Sequence, residues 1–251
     1  MADPNPIAAG LFLLIGLVIF YLGFRQWRTY NQIKNTATSK VRSVAAGFCE
    51  IAGKIVAGQK ILTTPFTKKQ CVYYKYRIDE EVERVRTRNG KTEIDRDWET
   101  RFSGTESTPF YVEDDTGKIE VDPVTNAPEI YVKLNYEKQT NNWTNPPEVN
   151  EFLGERAKIL RRPKRRFLES SLEIGENFYV LGTAFPKEGV VSEKREEMLV
   201  IKKGLNKLFI VSDSSENALV GGMKWSIGGM LLIGAGLIIV GVVFLLGLVG
   251  V

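Results

Sequence analysis

The chain has 251 residues, with 34 Lys and Arg against 30 Asp and Glu for a formal charge of +4, two Cys and no His. The lack of His excludes Ser-His-Asp and Cys-His nucleophilic sites. Two cysteines are too few for a four-ligand Cys/His zinc site or a disulfide scaffold. Cys49 and Cys71 both sit in apolar, strand-like runs, which points to buried free thiols, with a single disulfide as the alternative.

Charge is segregated along the chain: residues 1–24 carry only Asp3, residues 225–251 carry none, and every Lys and Arg falls between Arg25 and Lys224. Ile7 to Phe24 (7–24) is uncharged and spans about 27 Å as a helix, enough for a hydrocarbon core. Asp3 precedes this run and Arg25-Gln26-Trp27-Arg28 follows it, which suits a retained anchor better than a cleaved signal peptide. Trp27 and Tyr30 suit the headgroup level.

From Ser39 to Asp213 (39–213) the pattern is that of a β domain. Val44 to Ala57 reads as a strand bent at Gly47 and Gly53. Thr63-Thr64-Pro65-Phe66 reads as a turn. Cys71 to Ile78 is rich in aromatic and β-branched residues, and Val82 to Arg86 extends it toward Asn89-Gly90, the signature of a type I′ hairpin. The return strand is expected near Ile94 to Phe102. Phe110 to Pro123 (FYVEDDTGKIEVDP) is a second hairpin in outline. Asp114-Asp115-Thr116-Gly117 forms its turn, Gly117 is expected at positive φ, and Pro123 stops its second strand. A further strand is expected near Ile130 to Tyr136. Thr140 to Pro147 breaks the pattern; its Asn142-Trp143-Thr144 fits a glycosylation acceptor, idle in a cytoplasmic setting. Val149 to Leu160 has helical spacing, and short strands are expected at Phe178–Gly182, Met198–Ile201 and Lys207–Val211.

Ser214-Ser215-Glu216-Asn217 opens a closing helix that runs into the second apolar stretch, Ile227 onward (227–250). Basic residues lie on the inner side of both spans, so the positive-inside rule places the central domain in the cytoplasm and both termini on the opposite face. Gly222, Gly229 and Gly236 recur every seven residues and share a helix face. Such a face suits close packing between the two spans or between protomers in a homo-oligomer, although Gly is also simply frequent in membrane helices. The fold class is therefore mainly β (α+β), a barrel- or sandwich-like domain between two transmembrane helices.

Three features are candidates for chemistry. Glu113, Asp114, Asp115, Glu120 and Asp122 could hold a hard cation or act as an acid/base pair, but hairpin turns commonly carry Asp and no EF-hand spacing is present. Lys158, Arg161, Arg162, Lys164, Arg165 and Arg166 put six cations in nine residues with no acid between them. That block reads as an anionic-lipid or partner surface, as a nucleic-acid patch, or as a solvated loop. With both ends of the domain at a bilayer, lipid is favoured over nucleic acid. Tyr73, Tyr74, Tyr76 and Phe102 could stack bases, but alternation sends at least one set into a core. No phosphate loop follows Gly221-Gly222.

The order anchor, β domain, anchor accompanies five sets of residues. These are Ser39-Lys40-Val41 with Gly47, Glu50 and Gly53; Pro65-Phe66 with Cys71-Val72-Tyr73-Tyr74; and Pro109-Phe110 with Asp114-Asp115-Thr116-Gly117 and Val121-Asp122-Pro123. The last two are Glu169 with Ile174-Gly175-Glu176 and Val180-Leu181-Gly182, and Phe209-Ile210 with Ser212-Asp213 and Glu216. Together they resemble the GIDE, or beside-a-membrane, domain of mulan-like membrane-anchored ubiquitin ligases and shorter prokaryotic relatives. The resemblance implies a sensor or substrate-recognition part. It departs from the ligases in one respect: a RING finger needs eight Cys/His ligands for two zinc ions, and this sequence offers two Cys. The expectation is thus a non-catalytic recognition module, with no cofactor and no metal, binding a protein or lipid partner at the cytoplasmic membrane face. The alternative is a recognition subunit of a ubiquitin-ligase-like or proteolytic complex.

Overall fold

The computed structural model describes residues 6–88, 91–123, 129–132, 134–204, 209–212 and 216–249. The chain divides into two compact units, residues 38–214 and the pair of terminal segments 1–37 and 215–251. Asn89-Gly90, Asp213 and the Ser214-Ser215 helix start lie outside the described residues.

The terminal unit is a helix pair, α1 (Pro6–Lys34) and α3 (Glu216–Val249). Within them Ala9–Lys34 and Lys224–Gly247 are long and apolar enough to cross a membrane, with mean hydropathies of 1.8 and 2.8. They run antiparallel: Phe12 meets Phe244 with ring centroids 6.0 Å apart, and at the other end Ser226 Oγ lies 3.5 Å from Gln26 Oε1. The seven-residue glycine stripe is not what joins them. A methyl group at Gly229 or Gly236 would meet nothing within 4 Å, and the surroundings of Gly222 lie outside the described residues. Close approach falls instead to Gly234 and Gly241 on α3 and Gly16 and Gly23 on α1. A Cβ at Gly234 would lie 2.7 Å from Phe20 N, and one at Gly16 would lie 2.9 Å from Ile238 N. At 100° per residue, Gly234 stands about 140° round the helix from Gly229, so two stripes of equal spacing lie on different faces, and the Gly234–Gly241 stripe is the one that meets α1.

The β unit contains β1 (Thr38–Ser39), β2 (Gly47–Ala57), β3 (Leu62–Thr63), β4 (Gln70–Arg88), β5 (Lys91–Ser107), β6 (Phe110–Asp114), β7 (Gly117–Val121), β8 (Glu129–Tyr131) and β9 (Tyr136–Thr140). A short helix α2 (Pro147–Leu153) follows, then β10 (Arg165–Glu173), β11 (Asn177–Pro186), β12 (Leu199–Lys202) and β13 (Ile210–Ser212). Strand β2 pairs with β6, β6 with β7, β7 with β12, β12 with β11, and β11 returns to β2, closing a five-stranded barrel. Closure removes the exposed edges that an open sheet would leave. Alternate residues point inward, so Phe110, Val112, Ile119 and Val121 from the β6–β7 hairpin pack with Ile51, Ile55, Val180 and Ile201. Gly53 permits the closure at β2, since a Cβ there would lie 2.4 Å from the Glu113 carbonyl oxygen.

The second sheet has the antiparallel order β5-β4-β10-β9, with β3 pairing the start of β4. On one face Ile78 and Phe167 of the sheet pack under α2, Phe66 and Leu160, with Phe152 and Tyr76 ring centroids 4.9 Å apart. Strand β10 continues through Gly175 into β11. At that corner the Gly175 N–H donates to Ile55 O (2.8 Å) and the Ile55 N–H to Glu176 O (2.9 Å), tying sheet to barrel.

Several elements differ from expectation. The expected helix at 149–160 is α only as far as Leu153, because Gly154 takes φ +52° and the chain tightens into a 3-10 turn. The single strand expected at Ile130–Tyr136 is two, β8 against β13 and β9 against β10, in different sheets. Gly117 does not take positive φ. The Asp114 side chain organises that turn instead. Strand β10 was not foreseen.

Candidate recognition surface

The seam between β4, β5 and β10 is built from charge. In β4–β5 the register shifts between Ile78, opposite Phe102, and Asp79, opposite Thr100, so Arg101 is the extra residue of a β-bulge. A bulge re-aims side chains. Here Arg101 Nε reaches Glu80 Oε2 at 2.9 Å. Glu80 is fully buried, and it also accepts the Arg162 backbone N–H (2.8 Å) and lies 3.7 Å from Arg165 Nε. Asp79, 1% exposed, accepts Arg166 through Nη2 (2.7 Å) and Nε (3.1 Å), and takes the Thr100 hydroxyl at 2.9 Å. Glu81 accepts Lys164 Nζ at 2.5 Å. Trp98 lies over this seam, with the Arg166 guanidinium 4.7 Å from its ring centroid.

The six-cation block is therefore divided. Lys164, Arg165 and Arg166 face acids of β4 and are engaged in the fold. Arg165 is 3% exposed and further donates to Asn145 Oδ1 and to Arg162 O (2.6 Å). Burial lowers its pKa and Glu80 counters part of that shift. Only Lys158, Arg161 and Arg162 remain exposed, and Lys158 pairs with Glu155 one helical turn away. The Asp79-Glu80-Glu81 partners lie about 80 residues from the block, and adjacency in sequence gives no sign of them.

Beyond Glu81 no other strand pairs with the hairpin among the described residues. Val82–Arg88 and Lys91–Asp97 form a two-stranded ribbon about 24 Å long, by the rise per residue of a strand. An ion pair joins Glu83 to Arg96 (3.2 Å) across it. On the same face as that pair, Val85 and Ile94 sit directly opposite each other, 68% and 62% exposed.

The carboxylates of the central hairpin perform turn chemistry. Asp114 accepts N–H groups from Val41 (3.0 Å), Thr116 (2.7 Å) and Gly117 (3.2 Å) as well as the Thr116 hydroxyl (2.6 Å). Partial burial raises its pKa, but these hydrogen bonds outweigh burial and hold the carboxyl below its ordinary value. Asp115 pairs with Lys40, and Glu120 with Lys187 (2.7 Å). The remaining motif residues are architectural. Phe110 pairs with Val121 in the barrel, the Asp122 N–H donates to Ile201 O (2.9 Å), and Pro123 is buried. A Cβ at Gly182 would strike Ile201 at 2.7 Å, and the Pro109 carbonyl lies against Gly58.

Glu169 joins two motifs far apart in sequence. It is fully buried on β10 and accepts the N–H groups of Phe66 (2.6 Å) and Thr67 (3.2 Å) and the Thr67 hydroxyl (2.6 Å), fixing the Pro65-Phe66 turn. Glu50 likewise takes the hydroxyls of Thr38 and of Tyr179 (3.2 Å). Cys49 and Cys71 are free and buried, and burial pushes their thiols up to about 11 and about 12, far from thiolate reactivity at neutral pH. Among the described residues no three His, Cys, Asp or Glu side chains converge as a metal site.

The GIDE family model, described as E3 Ubiquitin ligase, matches residues 80–247, from the buried Glu80 into the second apolar helix. The chain belongs to the GIDE family. The match covers β5 to β13 and most of α3, and leaves β2 outside. No curated protein and no solved structure matches the chain.

Proposed function

We propose that this GIDE chain is a membrane-tethered recognition module with no catalytic centre of its own. It presents a protein-binding ribbon at the cytoplasmic face and leaves the chemistry to a ubiquitin-ligase-like partner. The observation that carries this reading is the contrast within the β unit. Buried acids such as Glu80, Asp79 and Glu169 are engaged in ion pairs or backbone hydrogen bonds. The β4–β5 ribbon, by comparison, holds an apolar pair in solvent with no third strand against it among the described residues. Two-stranded ribbons are marginal alone, and their open edges and faces are templates for partners. Tethering by two spans supports the reading through effective concentration, since a partner in the same membrane meets the ribbon at raised local density. The basic residues following the first apolar run, Arg25, Arg28, Lys34, Lys40 and Arg42, favour the cytoplasmic side. A second reading, contact with anionic lipid, rests on exposed Arg161 and Arg162 with Lys158.

The test places a photoreactive residue at Ile94 of the full chain in native membranes. A discrete protein adduct is expected that persists in Arg161→Ala/Arg162→Ala and is lost in Val85→Glu. Adducts to lipid alone, or protein adducts indifferent to Val85→Glu, would refute the ribbon as the recognition surface.

A further inference from the structure

The face of the second sheet opposite α2 carries Lys75 and Arg77 on β4, directly across from Ser170 and Leu168 on β10. Ile130, Val132 and Leu134 stand over them, and together these side chains enclose a cavity of about 220 Å³ beside Tyr73. One wall is thus apolar and the floor is cationic. Lys75 is exposed and makes no ion pair among the described residues. Arg77 Nε lies 3.1 Å from Asp79 Oδ2, close enough for attraction but not aligned as a hydrogen bond, and it is buried without a hydrogen-bond partner. Asp79 is already held by the Arg166 fork and the Thr100 hydroxyl. Glu137 stands opposite Leu168 on β9, so at this level, among the described residues, Lys75, Arg77 and Arg166 face Asp79 and Glu137.

We infer that this cleft binds a small anionic amphiphile. Its carboxylate or phosphate head would meet Lys75 and Arg77, with the Ser170 hydroxyl beside them, and its apolar stem would lie along Leu168, Ile130, Val132 and Leu134. A charged head and an apolar stem each find their own surface here, and charge-assisted hydrogen bonds to Arg and Lys are the stronger kind. The size sets the ligand. A volume of 220 Å³ matches about seven waters of liquid, which admits a head and the first few carbons while the rest of the chain leaves by the open mouth. The strands themselves disfavour a peptide terminus, which is captured by free backbone N–H groups. Strand β4 is paired on both sides at this level, Lys75 with Thr105 and with Ser170, so the floor offers side chains only.

The probe is a ten-carbon carboxylate bearing a diazirine at its fourth carbon, applied to the full chain in phosphatidylcholine nanodiscs, with its primary amide as the uncharged control. Expected are adducts within residues 130–134 or at Leu168, at least tenfold weaker for the amide and for Lys75→Glu, and unchanged in Arg161→Ala/Arg162→Ala. Lys75 is exposed and unpaired, so its reversal leaves the fold intact and keeps the test valid if Arg77→Gln fails to fold. The same carbon chain ending in a phosphate, used as a competitor, distinguishes the two head groups. Equal labelling by the amide, wild-type labelling of Lys75→Glu, or adducts elsewhere would overturn the proposal. So would displacement by a tripeptide ending in a free leucine carboxylate at lower concentration than by unlabelled decanoate.

Discussion

Replacing Glu80 by alanine is expected to cost the β unit about 3–5 kcal/mol, the range for breaking a buried ion pair from one side. The carboxylate is fully buried beside Arg165, itself 3% exposed, and it also receives Arg101 Nε and the Arg162 N–H. Truncation leaves Arg165 with carbonyl and amide oxygens but no counter-charge, and it strips the bulge residue Arg101 of its buried partner. Denaturant unfolding followed by tryptophan fluorescence reads this directly, since Trp98 and Trp143 lie over Arg166 and Arg165. Arg161→Ala and Arg162→Ala, both exposed, should change stability by no more than about 0.5 kcal/mol. Equal, small losses in all three variants would mean that the block is a solvated surface throughout.

Phe110→Ala should be as damaging in the barrel, at about 3–5 kcal/mol. Phe110 is fully buried, opposite Val121 in the β6–β7 hairpin and opposite Ala57 across the β2–β6 closure. Removing its ring opens a cavity where two pairs of the closed barrel meet, and a ring of strands has little freedom to collapse into it. The check is the same unfolding experiment. Loss of midpoint with an unchanged denaturant slope would show a cavity in an otherwise intact native state. A loss below about 1 kcal/mol would contradict the barrel core as described.

The two hairpins were legible because their residues obey the physics of strands locally. Cys71 to Ile78 and Phe110 to Val121 alternate β-branched and aromatic side chains around Asp and Gly turns, and the paired strands follow each other in sequence. Strand β10 was hidden because its inward face reads Arg165, Phe167, Glu169, Ser171. That alternation is regular, but three of the four residues are polar, and burial of such residues is permitted only by partners elsewhere: Glu80 for Arg165, and the Phe66–Thr67 backbone for Glu169. Those partners are 85 and about 100 residues away, so local pattern gives a cationic loop where the fold has a central strand. The glycine stripe is a different case, since Gly229 and Gly236 do not meet α1. Seven-residue spacing identifies a helix face but not the neighbour it meets, and α3 has two such faces, of which Gly234 and Gly241 meet α1. The long hairpin around Val85 and Ile94 was legible as strands, but the candidate partner surface was read at Lys158 to Arg166 instead. That the strand beside the hairpin stops at Arg165 could come only from the register.

As proposed above, this GIDE member recognises without catalysing. The most direct test is ubiquitin discharge from a charged ubiquitin-conjugating enzyme, with the full chain in phospholipid nanodiscs and no other ligase component. Discharge is expected to be no faster than with empty nanodiscs, because the described thiols are buried and protonated and the buried acids hold the fold together. Discharge accelerated by the chain alone, and abolished when the chain is removed, would contradict this reading.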